Sequence, residues 1–307
     1  MSPRSQQSEC RGHFMNETTK PKSVGGSIQG DRVNIATDTV AGFGDEWTRF
    51  DQTSIGDAEI RALFEAYFWI FPWQTLPANP TGFDLGCGSG RWAKQVAPRV
   101  GHLHCIDASA EALAVARRNL DNEKNCDFHH ASVDAIPLPD GSMDFGFSLG
   151  VLHHVPDTLA GIRSCVAKLK PGAPFLLYLY YAFDNRPFWF RCLWRASDSL
   201  RKVVSRLPHG LRYLVSQVFA LTVYYPLARS ALILEKCGIT IRNFPLFYYR
   251  NLSFYVMRTD ALDRFGTRLE QRFTQEQMRA MMMQAGLEDI VFSDKAPYWC
   301  AVGVKSQ

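Results

Sequence analysis

The stretch Phe83-Asp84-Leu85-Gly86-Cys87-Gly88-Ser89-Gly90 decides the fold class of this chain. Its apolar start is typical of a β-strand, and glycine then stands at every second position of the turn that follows. Glycine adopts backbone angles that other residues avoid and lets a ligand come close to the backbone. A helix expected over residues 91–96 would present free N–H groups at its first turn. The stretch therefore predicts a strand, a turn and a helix that together bind a ligand.

Two acidic residues follow this turn at the ends of the next predicted strands. Asp107 ends a strand over residues 102–106, and Asp134 follows a strand over residues 126–130. A carboxylate in the position of Asp107 can accept hydrogen bonds from both hydroxyls of a ribose. Parallel strands place their carboxyl ends at one edge of a sheet, so these acids are expected to lie beside the glycine turn.

The spacing of the glycines distinguishes a dinucleotide-binding site from another kind of nucleotide site. A dinucleotide fingerprint requires its third glycine where Arg91 stands, which argues against an NAD-dependent oxidoreductase. The order G-x-G-x-G, preceded by Asp84, instead resembles the S-adenosyl-L-methionine (SAM) motif of class I methyltransferases. The resemblance implies that the cofactor is SAM, with S-adenosylhomocysteine (SAH) as its product. It also implies that SAM contacts the following residues: Asp84, Gly86, Gly88, Gly90, Asp107, Ala108, Val133, Asp134 and Leu149.

The resemblance continues beyond the glycine turn. Residues 138–145, 152–157 and 168–172 are similar to the methyltransferase subgroup that includes the ubiquinone and menaquinone C-methyltransferases. It covers roughly residues 80–182, together with the last predicted helix and pair of strands. Within the family, Asp134 would receive the adenine amino group while Val133 packs on the ring. The resemblance is informative about fold and cofactor, but not about the methyl acceptor.

Strands and helices alternate along most of the chain, which predicts an α/β protein. We expect a Rossmann-like sheet of seven mostly parallel strands with helices on both faces. The predicted organisation is a disordered arm (1–42), a core (43–184), a helical insert after strand five (185–256) and the end of the core sheet (257–307).

Composition narrows the classes of function. The 307 residues are 46% hydrophobic and carry a formal net charge of +4, which does not favour nucleic-acid binding. Ser148-Leu149-Gly150-Val151 stands where amino-methylating DNA enzymes carry N/D-P-P-Y/F. The eight cysteines form no C-x-x-C pair, and no Cys/His spacing predicts a metal site. Residues 1–40 contain no continuous apolar segment of a secretory signal, so we expect a cytoplasmic protein.

Candidate chemistry lies just beyond the fourth strand. His154 is the predicted general base, because an imidazole titrates in the useful range, although it could instead orient the cofactor. Tyr180 and Tyr181 either line the acceptor pocket or pack under the insert. Trp47 and Phe50 either close over the cofactor or belong to the core.

The insert begins with a basic amphipathic segment, residues 186–212. Three interpretations remain open: contact with an anionic membrane surface, recognition of an anionic acceptor, or a lid helix with its apolar face on the core. Residues 213–228 carry no charge but are shorter than the roughly 20 residues needed to span a bilayer. They predict a buried lid helix or one at an interface. Peripheral contact with the inner membrane surface would follow from the first interpretation.

Two functions therefore stand side by side. The favoured one is a SAM-dependent methyltransferase that acts on a small-molecule or lipid-like acceptor by in-line displacement. The alternative is a SAM- or SAH-binding module without turnover that regulates or assembles with a partner.

Overall fold

The computed structural model describes residues 34–307, and these residues contain one seven-stranded sheet. The strands are β1 (Thr81–Leu85), β2 (His102–Asp107), β3 (Cys126–His130), β4 (Phe145–Leu149), β5 (Pro174–Tyr178), β6 (Leu287–Phe292) and β7 (Cys300–Lys305). Their order across the sheet is β3-β2-β1-β4-β5-β7-β6. The first five strands run parallel, whereas β7 is antiparallel to β5 and to β6. The predicted α/β sheet is confirmed.

Ten helices accompany the strands within the described residues. They are α1 (Thr37–Arg49), α2 (Asp57–Phe68), α3 (Ala93–Val96), α4 (Ala110–Asn119), α5 (Thr158–Lys168), α6 (Phe188–Val204), α7 (His209–Phe219), α8 (Tyr225–Lys236), α9 (Phe254–Gly266) and α10 (Gln275–Gln284). Side chains cap several starts: Ser109 caps α4, Asp157 caps α5, and Thr274 with Gln277 forms a capping box on α10. These local signals fix where the core helices begin.

The sheet has a core on each face. On one side, α2, α3 and α4 cover residues such as Phe145 and Phe147, both fully buried. On the other side, α5 and α10 cover Phe83 and Phe175. This three-layer arrangement leaves the carboxyl ends of the parallel strands as the place where a ligand can enter.

The N-terminal boundary of the core differs from the prediction. Residues 1–33 lie outside the described residues, but a disordered arm that extends to residue 42 is wrong, because α1 already begins at Thr37. Helix α1 packs along α4, and Gly44 is the contact point: a Cβ atom there would lie 2.8 Å from Oγ of Ser109. Tertiary packing, rather than helix propensity, therefore defines this helix.

The C-terminal boundary of the insert also differs. The prediction places it at residue 256, whereas α9 runs across that point and supports the helices before it. Val204 of α6 and Ala220, which follows α7, share one apolar cluster with Met257 and Ala261 of α9. The insert therefore ends with α9.

Helix α6 turns its polar side towards the protein. Arg201 is 3% exposed and pairs with Asp198, which is 9% exposed, at 2.7 Å; Nη1 of Arg201 also donates to the carbonyl of Thr267 at 2.8 Å. The opposite side of α6 exposes these apolar residues: Phe188, Trp189, Leu193, Leu200 and Val203. A lid helix with its apolar face on the core is therefore wrong, because most apolar residues of α6 are exposed and its buried side presents Asp198 and Arg201 beside Val204.

Helices α7 and α8 form one continuous helix through a π-helical turn at Ala220–Tyr224. Within the described residues this helix, His209–Lys236, is long and apolar enough to cross a membrane by length and composition alone. A narrow face is buried, including Arg212, Ser216 and Ala228, and the rest exposes Leu211, Leu214, Val218, Leu221, Val223, Tyr225 and Ile233. The prediction of a buried lid helix over residues 213–228 is thus wrong for most of its surface. We call the exposed apolar residues of α6, α7 and α8 the outer face.

Candidate active site

A cavity of about 120 Å³ lies at the carboxyl ends of β1, β2 and β4, under the N-terminal segment. Six of the predicted site residues line it: Gly86, Asp107, Ala108, Val133, Leu149 and His154. Asn34, Phe43 and Trp47 close it from the other side. Five of the nine predicted cofactor residues therefore meet at this cavity together with His154, although they come from four separate loops.

The turn after β1 requires glycine at two positions. Gly86 has φ +77° and Gly88 has φ +54°, a region that L-residues rarely adopt. A Cβ atom on Gly86 would lie 2.3 Å from Cγ2 of Val151, and one on Gly88 would lie 2.9 Å from the ring of Trp47. The turn is thus held between the loop after β4 and helix α1.

Asp107 connects this turn to the start of α4. Its Oδ2 accepts the N–H of Gly88 and its Oδ1 accepts the N–H of Ser109, both at 2.8 Å. Burial raises the pKa of Asp107, and these two hydrogen bonds offset part of the shift. A carboxylate oxygen can accept two hydrogen bonds, so each oxygen retains capacity for a ribose hydroxyl.

Asp84 lies buried at the base of the turn, 1% exposed, and does not line the cavity. Its Oδ2 has no hydrogen-bond partner within the described residues. Burial raises the pKa of Asp84 well above its usual range, and the neighbouring Asp107 adds to the shift. Because Asp84 is buried beneath the turn, it supports the glycine turn from below and does not face the cavity itself.

Asp134 and Gly90 stand just outside the cavity lining. Oδ2 of Asp134 accepts the N–H of Asn34 at 3.0 Å, and Ser132 donates to its other oxygen. The hydrogen bond from Ser132 lowers the pKa of Asp134. In this arrangement Asp134 attaches the N-terminal segment to the cavity. Gly90 packs against Leu120 and supports the turn from behind.

His154 has one ring nitrogen engaged and one free. Nδ1 lies 2.7 Å from the carbonyl oxygen of Leu269, which can only accept, so Nδ1 carries the hydrogen. Nε2 is buried without a partner within the described residues. Burial lowers the pKa of His154, and the nearby Asp263 offsets part of the effect. The neutral ring therefore has a lone pair on Nε2 that can accept a proton.

Of the four aromatic residues that the sequence analysis singled out, one lines the cavity and three do not. Trp47 lines the cavity, whereas Phe50 is 2% exposed and packs edge-on against Tyr255. Tyr180 stacks on His153 at 3.8 Å, and Tyr181 packs among the aromatics near β7. Neither tyrosine lines this cavity, and a role of either in the acceptor pocket stays a prediction.

Three carboxyl groups on α1 and α9 that interact with one another were missed by the sequence analysis, and one of them, Asp263, also interacts with His154. Tyr180 donates to Asp263, and Tyr249 donates to Asp260, both on α9. Burial raises the pKa of Asp260 to about 6, and it also raises that of Glu46 on α1, with Asp263 and Asp260 adding to the latter shift. Such perturbed groups cluster at functional sites. The i, i+3 spacing of the two aspartates was the available signal.

Comparison with known proteins agrees with this geometry. Residues 83–177 match a family model described as a methyltransferase domain. Phosphoethanolamine N-methyltransferase 2 of Caenorhabditis elegans is 37% identical over 103 residues, which are 33% of this chain and 24% of that protein. A ubiquinone biosynthesis O-methyltransferase of Aromatoleum aromaticum is 32% identical over 136 residues, which are 43% of this chain and 56% of that protein.

Solved structures show a weaker likeness. A Haemonchus contortus phosphoethanolamine N-methyltransferase 2 in complex with SAM is 18% identical, with a TM-score of 0.44 over 87% of this chain and 45% of that chain. The family match and the strand order carry the assignment instead. Residues 83–177 match a methyltransferase domain, and the strand order agrees with the predicted class I fold, whose cofactor is SAM. Because the chain spans 24% and 56% of the two curated relatives, its activity as a whole is proposed below.

Proposed function

We propose that this protein transfers the methyl group of SAM to a small-molecule, lipid-like acceptor by in-line displacement. One observation carries the proposal: His154, a buried base with a free Nε2, lines the same cavity as Gly86 and Asp107. A module that only binds SAM has no need for an unpaired buried imidazole, whose isolation costs free energy.

The residues around the cavity have separable roles. When bound, SAM supplies a methyl group on a sulfonium; attack by the acceptor breaks the C–S bond and leaves SAH. Asp107 and the glycine turn would hold the ribose, and Val133 would pack beside the adenine. Alignment of two reactants can supply about 7–11 kcal/mol of rate enhancement. Nε2 of His154 receives the proton that the acceptor loses.

The lipid-like character of the acceptor rests on two supporting observations. One of the relatives reported above is named for the biosynthesis of ubiquinone, a lipid-soluble molecule. The insert, which elaborates the domain beyond its family match, exposes the outer face instead of burying it. We further propose a cytoplasmic protein that contacts the inner membrane surface through residues 186–212.

Labelled methyl transfer tests the proposal. Purified protein with methyl-labelled SAM is incubated with a lipid extract and, separately, with an aqueous metabolite extract, in wild type and Asp107→Ala. We expect label in the organic phase with wild type only. Label confined to aqueous products would contradict the lipid-like acceptor. SAM binding by calorimetry without label in either extract would favour the module without turnover.

A further inference from the structure

The outer face is bordered by positive charge. The exposed basic residues of α6 are Arg191, Arg195 and Lys202, spaced so that they follow one edge of its apolar stripe, and Arg206 follows just after the helix. The only acid on α6, Asp198, is buried on the opposite side. Lys202 pairs with Asp198, whereas Arg191 and Arg195 form no ion pair within the described residues. An apolar stripe beside unpaired arginines complements a surface of anionic lipid.

Aromatic side chains stand among the outer-face residues. Trp189 is 52% exposed and Phe188 is 68% exposed, and both lie in the first turn of α6. Tyr225 is exposed at the start of α8. Tryptophan and tyrosine favour the boundary between water and acyl chains, because their rings are apolar and carry one polar atom. The outer face therefore carries the aromatic residues that are typical of a membrane boundary.

The inner side of the long helix attaches it to the folded domain. Nη1 of Arg212 donates to the carbonyl of Gly266 at 2.9 Å, and Nη1 of Arg229 donates to the carbonyl of Arg250 at 2.7 Å. Ser216 and Ala228 are fully buried. A helix that crossed a bilayer would lose these contacts and carry both arginines into hydrocarbon. The helix therefore suits the plane of a membrane better than its interior.

We propose that the outer face docks on an anionic phospholipid bilayer, with α6 and the helix His209–Lys236 lying in the plane of the headgroup boundary. Both helices pack on α9 through their inner sides, so their apolar sides point away from it. The inference extends the membrane contact proposed for residues 186–212 to a second helix. It concerns binding alone and does not depend on turnover.

Vesicle flotation with the full chain tests this inference. Wild type is expected to float with vesicles of phosphatidylcholine and phosphatidylglycerol at low salt, and much less with phosphatidylcholine alone. Leu193→Gln/Val203→Gln on α6 and Leu214→Gln/Leu221→Gln on α7–α8 should each lower the bound fraction at least several-fold. The control Met283→Gln/Val291→Gln changes equally exposed residues outside the insert and should float like wild type.

Several outcomes would overturn the inference. These are failure of wild type to bind anionic vesicles, equal loss in the control, or bound protein that resists alkaline carbonate, which indicates a spanning helix. A dimer in solution that the α6 variant dissociates would assign the face to a second copy. SAM titration of each variant separates misfolding from lost docking, and retained flotation without methyl transfer would count only against the proposed function.

A different observation supports a second site, on strands β2 and β3. His102 and His104 alternate on β2 and face Asp127 and His129 on β3, where His104 is directly paired with Asp127. Nε2 of His102 lies 3.0 Å from Oδ2 of Asp127, and Nδ1 of His104 lies 3.1 Å from Nε2 of His129. The ligand atoms of His102, His104 and Asp127 all lie within 4.8 Å of one another.

These separations suit a small divalent metal. Tetrahedral zinc with ligands at about 2.0–2.1 Å holds its donor atoms roughly 3.4 Å apart. We infer that this cluster binds a divalent transition metal ion of the zinc type. The sequence analysis predicted no metal site, because it considered only the spacing of residues along the chain. These ligands come from two separate strands, β2 and β3, which pair only in the folded protein.

Titration of tag-free protein with Zn²⁺, and with Co²⁺ for its tetrahedral absorption, tests this second inference. One ion per chain is expected, with a roughly tenfold or greater loss of affinity in His104→Ala. The control His209→Ala removes an exposed histidine of the insert and should leave binding unchanged. No binding by wild type, or equal binding by His104→Ala that still binds SAM, would refute the site.

Discussion

Helices α5 and α6 are both amphipathic, yet they turn opposite sides towards the protein. Helix α5 buries Ile162 and Cys165 against the sheet. Helix α6 buries Asp198 and Arg201 and leaves Leu193 in solvent. The surface beneath each helix explains the difference: α5 lies on apolar strands, whereas α6 meets the carbonyls of Thr267 and Arg268 after α9. A periodic pattern therefore reveals that a helix has two faces, but not which face is buried.

The largest expected effect is on the rate of methyl transfer, and it should arise from a core residue, His154, and not from the insert. His154→Gln is expected to lower methyl transfer about 100-fold while the Kd for SAM changes little, because it removes the free Nε2. Burial lowers the pKa of His154 below its usual value, so wild-type activity should fall only as the pH drops below about 6.5. Initial rates with the identified acceptor, measured across pH, provide the readout.

The matched control for that variant is His209→Gln, an exposed histidine at the start of α7. It should retain the wild-type rate. An equal loss of methyl-transfer rate in both variants would show that the effect is not specific to His154, and would contradict its role as the base.

The second prediction compares the cost in stability of shortening one apolar side chain on α5 and one on α6. Ile162→Ala should lower the free energy of unfolding by about 3 kcal/mol, because Ile162 is fully buried. Leu193→Ala should leave it nearly unchanged, because Leu193 is 51% exposed. Denaturant melts of the two variants suffice. A large cost for Leu193→Ala would mean that the outer face is buried in solution.

The third and smallest effect concerns charge. Asp198→Asn should lower the free energy of unfolding by about 2 kcal/mol, because it leaves the buried Arg201 without its counter-charge. Burial opposes ionisation, but hydrogen bonds from Arg201 and Lys202 hold the pKa of Asp198 below its usual value. The stabilisation is thus present above the unfolded pKa of about 3.9 and disappears as the pH falls through the folded value.

The comparison for this variant is Asp140→Asn in the core, whose exposed carboxylate pairs with Lys168 at 2.7 Å. It should leave stability unchanged. An Asp198→Asn variant that is as stable as wild type at pH 7 would show that the inner side of α6 is hydrated.

Local signals were sufficient for much of the core. The glycine turn, the caps at Ser109 and Thr274 and the short apolar runs lead directly to the observed strands and helices. The same signals brought Asp107 and His154 to one cavity, because parallel strands end at one edge. Other predicted site residues lie behind the residues that line the cavity: Asp84, Gly88, Gly90 and Asp134. This difference depends on the positions of side chains, which the sequence pattern does not give.

Other features depend on contacts between distant parts of the chain. Helix α9 is buried on most of its circumference, so it shows no single apolar stripe in sequence. Helix α1 has a polar start and forms against α4. The carboxyl groups of Glu46 and Asp263 meet only because these two helices cross the same edge of the sheet. The spacing of residues along the sequence does not predict any of these contacts.

Helix α1 has a consequence for the timing of turnover. Phe43 and Trp47 of α1 line the cavity beneath it, so we expect SAM entry and SAH release to involve movement of this helix. Two contacts hold α1 in place: Arg49 of α1 lies over the ring of Tyr213 in the insert, and Arg268, just after the insert, pairs with Asp38. We therefore expect the insert to influence how long the nucleotide stays bound, so that a surface which engages the insert would also change the rate of product release.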